Sequence, residues 1–408
     1  MLSQVPMAPL VTFSPALVAE TRVPQASTRN RLPAPGGPFQ VGKASFDLVD
    51  LSRSDPFSAN PAIHRELMVT VWYPACQVRP GTPRSPYVPD AGVFAQYLGS
   101  GSSSQEVDEL RQYLESMQTN SYQGARLAPG PRTLPVVIFM PGWGAVPEMY
   151  SSYAEDLASR GYVVAAINPT GISRVTMFAD GRVVGTEVPE MNLTTMTLQQ
   201  FEAAAARETD VMASDAQFVL SEFAKMNAGL IPSAFRGRLD LGHVAAVGQS
   251  MGGAAAAQLV ATTAQFRVGV DLDGTLWGPT QTTGVNRPFL FMRSSPLTSQ
   301  ELRQRGITRN EYQKQQDQDA FDTKAVVATI RAGGARVIVD GFRHMDFSDQ
   351  ELRVKSSPDG PCGVRGVRIV ERFVASFLRA NLFGRRSPLF HRQFSPFRGV
   401  EFSNPIVA

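Results

Sequence analysis

The sequence contains little cysteine and no long run of apolar residues. Its 408 residues include 2 cysteines, Cys76 and Cys362, which are too few for a disulfide framework or a cysteine-based zinc site. The two could still pair with each other in an oxidising compartment, so their pairing is left open. The longest apolar runs have about six to eight residues, whereas a helix needs ~20 to cross a bilayer. We therefore expect no transmembrane segment.

An excess of charge of one sign is also missing. The chain has 39 lysines and arginines against 36 acidic residues, and no basic run is interleaved with aromatic residues, so nucleic acid is not an expected partner. The N-terminal residues have no lysine or arginine before their apolar middle, and prolines interrupt it. This is a poor secretory signal. The sequence thus favours a cytoplasmic location over a secreted one without deciding between them.

What is present indicates one large globular domain with an arm at each end. Residues 1–38 contain seven prolines and little periodicity, which predicts a loosely ordered arm. We place the domain at 39–384, with helical insertions near 93–128 and 296–333. The tail, 385–408, mixes arginines with four phenylalanines. Such a tail packs on its own domain or stays disordered more often than it touches a membrane surface, and peripheral membrane contact is left open.

The domain repeats one theme of short runs that are apolar at nearly every position. Continuous apolar runs are typical of strands buried on both faces, hence of a parallel sheet. Helical spacing between the runs predicts crossover helices, so we expect an α/β fold with a mostly parallel, doubly wound sheet of about eight strands and helices on both faces. Residues 39–50 and 66–74 should add an antiparallel pair at one edge. The six predicted core strands are 135–140, 162–169, 243–248, 267–273, 287–292 and 335–341.

A serine stands where one of these strands should turn into a helix. Gly248-Gln249-Ser250-Met251-Gly252 matches G-x-S-x-G, and a run of small residues follows it. The pattern alone is weak, but a strand before it and a helix after it are what a nucleophile elbow needs, with glycines where side chains would collide with backbone. We therefore expect Ser250 to be a catalytic nucleophile.

A serine hydroxyl needs a general base, and the chain offers only 4 histidines. In this arrangement the base follows the nucleophile in sequence, with the acid between them. His64 and His243 precede Ser250, and His391 lies in the tail. His344 alone follows within the domain, three residues past a predicted strand, so it is the expected base.

The acid is less constrained by the sequence. Asp271 and Asp273 both belong to the run RVGVDLD. Asp273 falls at the carboxyl end of that strand, where ligands bind in such sheets, whereas Asp271 falls inside it, where a charge is costly unless paired. We favour Asp273 and keep Asp271 as the alternative. Asp346 is too close to His344 in sequence to orient the ring and is expected to cap the loop.

Two backbone N–H groups should stabilise the oxyanion that forms when the serine attacks. One is expected from Met251, directly after the nucleophile, where the helix begins. The other is expected from the loop after the first core strand, where glycines flank Trp143, so we nominate the Trp143 N–H.

Four separated segments resemble, in order, the α/β-hydrolases related to platelet-activating factor acetylhydrolase (plasma and intracellular type II). They are PVVIFMPGWGAVPEMYSSYAEDLASRGYVVAAINPTG, VAAVGQSMGGAAAAQLV, RVGVDLDGTLWGP and GFRHMDFSD. The resemblance implies that Ser250, Asp273 and His344 form the triad. It also implies hydrolysis of short or oxidised acyl esters, including those of phospholipids, with no metal or other cofactor. Animal members have His-Gly where this chain has Pro141-Gly142.

The expected function is therefore carboxylic-ester hydrolysis through an acyl-enzyme, with a small-molecule or lipid ester as substrate. Acyl transfer or thioester cleavage on the same triad is an alternative within enzymes. A silent ligand-binding protein is an alternative outside them, but silent members commonly lose a triad residue. Trp277 and the two insertions are candidate pocket walls or lids, or simply packing.

Overall fold

A computed structural model describes residues 30–130, 133–188, 196–295, 324–353, 363–390 and 395–403. Ten of its strands form one sheet, and two short strands form a separate hairpin. The strands are β1 (Gln40–Ser54), β2 (His64–Ala75), β3 (Ser121–Gln123), β4 (Leu134–Met140), β5 (Val163–Asn168), β6 (Val175–Met177), β7 (Val183–Gly185), β8 (Leu239–Gln249), β9 (Phe266–Leu272), β10 (Phe289–Ser294), β11 (Ala335–Val339) and β12 (Val400–Ser403).

The sheet is mostly parallel, as the sequence predicts. Its order is β12-β11-β10-β9-β8-β4-β5-β2-β1-β3, and the six strands from β11 to β5 all run the same way. The predicted antiparallel pair, β1 and β2, joins beside β5. The order jumps between strands that are distant in sequence, which is how helical crossovers build a doubly wound sheet.

The helices cover both faces of this sheet. They are α1 (Ala91–Leu98), α2 (Ser104–Ser116), α3 (Ser151–Ser159), α4 (Leu198–Ala228), α5 (Met251–Thr262), α6 (Thr280–Thr283) and α7 (Val364–Phe383), and residues 324–331 are helical as well. One apolar cluster joins α4 and α5 to the first face, and another joins α3 and α7 to the second. Strand side chains such as Val136 and Val137 belong to opposite clusters, so both faces of the sheet are buried.

Two short edge strands bring the sheet to ten rather than about eight. β3 pairs with β1 through three residues, and β12, from the C-terminal tail, pairs antiparallel with β11. The described part of the tail thus packs on its own domain. Residues 30–38 of the predicted arm also pack on it, since Leu32 is buried and the Gly36 N–H donates to Asp156.

The predicted insertion near 93–128 contains α1 and α2, which form a third apolar cluster. Ser103 and Glu106 form a capping box that starts α2. Phe94 and Leu114 pack there against Val146 and Val175, residues that follow β4 and β5. Most of the other predicted insertion, 296–323, lies outside the described residues, as do Cys362 and His391. Among the described helices, none has both the length and the apolar character to cross a membrane.

Candidate active site

Ser250 lies at a sharp turn between β8, which ends at Gln249, and α5, which begins at Met251. Its backbone has φ 54° and ψ −122°. A Cβ added to Gly248 would lie 2.1 Å from the Gly252 carbonyl. The glycines around the serine are therefore required by close backbone packing, because any side chain there would force the turn open.

The side chains of three sequence-distant residues meet at this turn. His344 Nε2 lies 2.9 Å from Ser250 Oγ, and His344 Nδ1 lies 3.0 Å from Asp273 Oδ2. The three residues follow β8, β9 and β11, whose parallel course brings their carboxyl ends to one edge of the sheet. With the ring proton on Nδ1 facing the carboxylate, Nε2 is left as an acceptor for the serine hydroxyl.

Asp273 is held by the neighbouring strand as well as by the histidine. The Ser294 N–H donates to its Oδ1 at 2.7 Å, and the Ser294 hydroxyl donates to its Oδ2 at 3.0 Å. Burial by itself would raise the pKa of this carboxyl, but the hydrogen bond and electrostatic interaction with His344 and the hydrogen bond from the Ser294 N–H outweigh burial and lower it. Asp273 is thus held ionised beside the imidazole.

Asp271, the alternative acid, has different partners. Its carboxylate accepts from Arg293 at 2.8 Å and from the Gly274 N–H at 2.7 Å, and the side chain is fully buried. The Gly274 bond spans the turn in which Asp273 adopts φ 60°. Asp271 therefore ties down the turn that presents Asp273, and the paired arginine compensates its buried charge.

The loop after β4 packs directly against the serine. A Cβ on Gly142 would lie 3.0 Å from Ser250 Cβ, and one on Gly252 would lie 2.1 Å from the Met140 carbonyl oxygen. Trp143, the nominated donor on this loop, is buried. Met251, the other nominated donor, is the first residue of α5, and the N–H groups of a helix's first turn have no acceptor within that helix.

The Trp143 side chain on this loop lies next to α4. Burial raises the pKa of Glu208 on α4 to about 7, with Arg207 and the Trp143 indole opposing that shift. The Trp277 ring packs edge-on against Phe201, also on α4, with ring centroids 5.8 Å apart. The N-terminal half of α4 therefore contacts both Trp143 on this loop and Trp277.

The polar side chains that surround Ser250, Asp273 and His344 were not predicted from the sequence. Gln249 contacts His344, Ser294 contacts Asp273, and Arg293 pairs with Asp271. Of these, only Gln249 could have been suspected from the sequence, because it occupies the variable position of G-x-S-x-G directly before the serine. Asp346 does cap the loop of the histidine, since its Oδ2 accepts the Arg343 N–H at 2.6 Å.

This fold and this site define a class: an α/β-hydrolase with a serine at a nucleophile elbow. Comparison with known proteins agrees. A ferulic acid esterase from Streptomyces cinnamoneus superposes with a TM-score of 0.68 at 26% sequence identity, covering 92% of this chain and 100% of the esterase. The predicted α/β-hydrolase fold is thereby confirmed.

Comparisons of the sequence identify a family within this fold. The family model of platelet-activating factor acetylhydrolase, isoform II, matches residues 25–329, a span that includes Ser250 and Asp273 and ends before His344. A probable 1-alkyl-2-acetylglycerophosphocholine esterase from Arthroderma benhamiae is 25% identical over 95% of this chain and 97% of its own length. The platelet-activating factor acetylhydrolase of Gallus gallus is 23% identical over 69% and 70%.

The chain belongs to the platelet-activating factor acetylhydrolase isoform II family. The resemblance read from the sequence motifs is confirmed, and the enzyme class is that of the carboxylic ester hydrolases.

Proposed function

We propose that the chain hydrolyses carboxylic esters with Ser250 as nucleophile, His344 as general base and Asp273 as the acid that orients it. The observation that carries this proposal is the continuous chain of two hydrogen bonds, 2.9 Å and 3.0 Å long, through the two ring nitrogens of His344. One base touching both an alcohol and a carboxylate is the arrangement that activates a serine.

The reaction then proceeds in two halves. Ser250 Oγ attacks the ester carbonyl as His344 Nε2 accepts its proton, and the N–H groups of Met251 and Trp143 hold the oxyanion. Collapse releases the alcohol, which takes the proton back from His344, and leaves the acyl group on Ser250. Water, deprotonated by His344, attacks the acyl-enzyme, and His344 returns that proton to Ser250 Oγ as the carboxylic acid leaves. Asp273 keeps its charge throughout and stabilises the imidazolium.

The proposed substrate is a phospholipid with a short or oxidised acyl chain. Support comes from the family and from the relatives in Arthroderma benhamiae and Gallus gallus, whose names describe enzymes of that type. The competing substrate is a small aromatic ester, because the structural neighbour from Streptomyces cinnamoneus is a ferulic acid esterase.

A fluorophosphonate probe tests the nucleophile, because it reacts with activated serines. We expect it to label Ser250 and no other serine. Ser250→Ala should abolish labelling and lower the kcat for p-nitrophenyl acetate by about a millionfold. If wild type and variant shared one background rate, the chain would be a silent binding protein instead.

A second experiment tests the substrate. Hydrolysis is compared for p-nitrophenyl esters from acetate to palmitate, an oxidised phosphatidylcholine and methyl ferulate, with water and then an alcohol as acceptor. The proposal expects the highest kcat/KM for the oxidised phospholipid. A preference for methyl ferulate would move the chain to the aromatic esterases, and faster turnover with alcohol would make it an acyltransferase.

A further inference from the structure

Two buried polar side chains behind the triad have no part in the mechanism above. The Tyr150 hydroxyl lies 2.9 Å from Gln249 Oε1. Gln249 Nε2 in turn lies 3.2 Å from the backbone oxygen of His344 and 3.2 Å from His344 Nε2. Each of the two side chains is about 1% exposed. A polar chain so deeply buried is expensive unless every bond in it is made.

The direction of these hydrogen bonds follows from the groups themselves. The backbone oxygen of His344 can only accept, so the amide nitrogen of Gln249 must face it. The amide oxygen of Gln249 then faces Tyr150, whose hydroxyl must donate. Burial raises the pKa of Tyr150, so its hydroxyl keeps the proton that it donates. The Gly142 N–H approaches the same hydroxyl oxygen at 3.5 Å, the limit of hydrogen bonding.

The chain of bonds therefore spans three parts of the site. It begins on the loop of the proposed oxyanion donor Trp143, passes the residue before the serine, and ends on the backbone of the base. Gly142 fits this arrangement only as glycine, since a Cβ there would lie 2.4 Å from Gln249 Oε1. Catalytic groups must be held to about half an ångström, and such holding falls to buried side chains whose rotamers are fixed by their partners.

We propose that Tyr150 and Gln249 act together as positioning residues that hold the His344 loop and the oxyanion loop in register with Ser250. The inference rests on the proposed function, because the two residues can position the general base only if His344 is that base. Both side chains are about 1% exposed, so we expect neither to touch the substrate. Their contribution should therefore be to kcat rather than to KM.

Tyr150→Phe tests the proposal by removing one hydroxyl and leaving the ring. We expect kcat for p-nitrophenyl acetate to fall about tenfold, as one positioning hydrogen bond warrants, with KM changed less than about twofold. The matched control is Tyr153→Phe. Tyr153 is buried one helical turn away, and its hydroxyl meets no hydrogen-bond partner among the described residues. The control should keep the wild-type kcat, and an equal kcat for the two variants would overturn the proposal.

A double-mutant cycle with Gln249→Met asks whether the two residues act as one unit. Gln249→Met keeps the side-chain volume and removes the contacts of Gln249 with Tyr150 and His344, so it tests the proposal even if Tyr150→Phe does not fold. We expect the double variant to be about as slow as Gln249→Met alone, because the tyrosine has nothing left to hold. Additive losses of kcat, or losses that track the melting temperature, would refute a shared positioning role.

Fluorophosphonate labelling separates failure of this inference from failure of the proposed function. If wild type and Ser250→Ala both escape labelling, the proposed function is wrong and the positioning role falls with it. If wild type is labelled at Ser250 and Tyr150→Phe is labelled at the same rate, only the positioning role is wrong. The proposal expects Tyr150→Phe to be labelled at Ser250, but about tenfold more slowly.

Discussion

Exchanging Asp273 and Asp271 for asparagine, one at a time, separates the acid that serves the base from the acid that supports the turn. Asparagine has nearly the shape of aspartate, so each variant changes charge and hydrogen bonding with little change in packing. Asparagine also tolerates the φ of 60° that residue 273 adopts, and its oxygen can still accept the Ser294 N–H. We expect Asp273→Asn to fold with nearly wild-type stability.

Asp273→Asn should lose activity and keep its stability, whereas Asp271→Asn should lose stability and keep most of its activity. In Asp273→Asn the new amide donates to His344 Nδ1, which moves the ring proton to Nε2, the atom that must accept from Ser250. The wrong tautomer costs about 10⁴ in kcat, or about 5 kcal/mol in the barrier. In Asp271→Asn the Arg293 guanidinium loses its buried counter-charge. Because the arginine is 17% exposed, the loss of stability should be near the lower end for broken buried pairs, about 3 kcal/mol.

Two assays measure these effects. Steady-state hydrolysis of p-nitrophenyl acetate gives kcat, and urea unfolding gives the free energy of unfolding. We expect Asp271→Asn to keep kcat within about tenfold while it is still folded. If Asp271→Asn lost about 10⁴ in kcat and Asp273→Asn stayed near wild type, the acid would be misassigned. If both variants lost stability and neither lost kcat, the triad itself would be refuted.

Two further predictions concern buried charge away from the triad. Arg65 contacts Asp215 at 2.7 Å in a fully buried pair, and Arg65→Met would leave that carboxylate to the partly exposed Arg53. The substitution should therefore cost about 3 kcal/mol in urea unfolding, near the lower end for broken buried pairs. Arg111→Met, which breaks only exposed pairs, should cost below about 1 kcal/mol, and equal losses would contradict the argument. Burial raises the pKa of Asp349 from 3.8 to about 7, so the native state retains a proton that the unfolded chain loses, and stability falls as pH rises between these values. Asp349→Asn should make that slope shallower by the contribution of one proton in unfolding measured from pH 4 to 8, and an unchanged slope would rule the residue out as a contributor.

Most of the fold could be predicted because its signals are local. Runs that are apolar at nearly every position, such as 135–140 and 243–248, indicate strands buried on both faces wherever they occur in the chain. The short strands β3 and β12 were not predicted. They have three and four residues, and such segments become strands only because an open sheet edge supplies the hydrogen-bond partner.

The residues around the triad show the same division. Ser250 was predictable because its motif places glycines where the tight turn leaves no room for side chains. His344 was predictable because the chain has so few histidines. By contrast, Gln249 and Tyr150 are 99 positions apart, and Ser294 is 21 positions from Asp273. No periodicity or spacing connects such pairs.

The sequence by itself therefore determined the sheet, the serine and the candidate base. The tertiary structure decided which aspartate faces the imidazole and which one supports the turn, because the two are two positions apart in sequence and the partners that distinguish them, His344 and Arg293, come from other parts of the chain. It also decided which polar side chains surround the site. Hydrophobic periodicity is encoded along the chain, whereas hydrogen-bond partners are chosen by the packing of strands that are far apart in sequence.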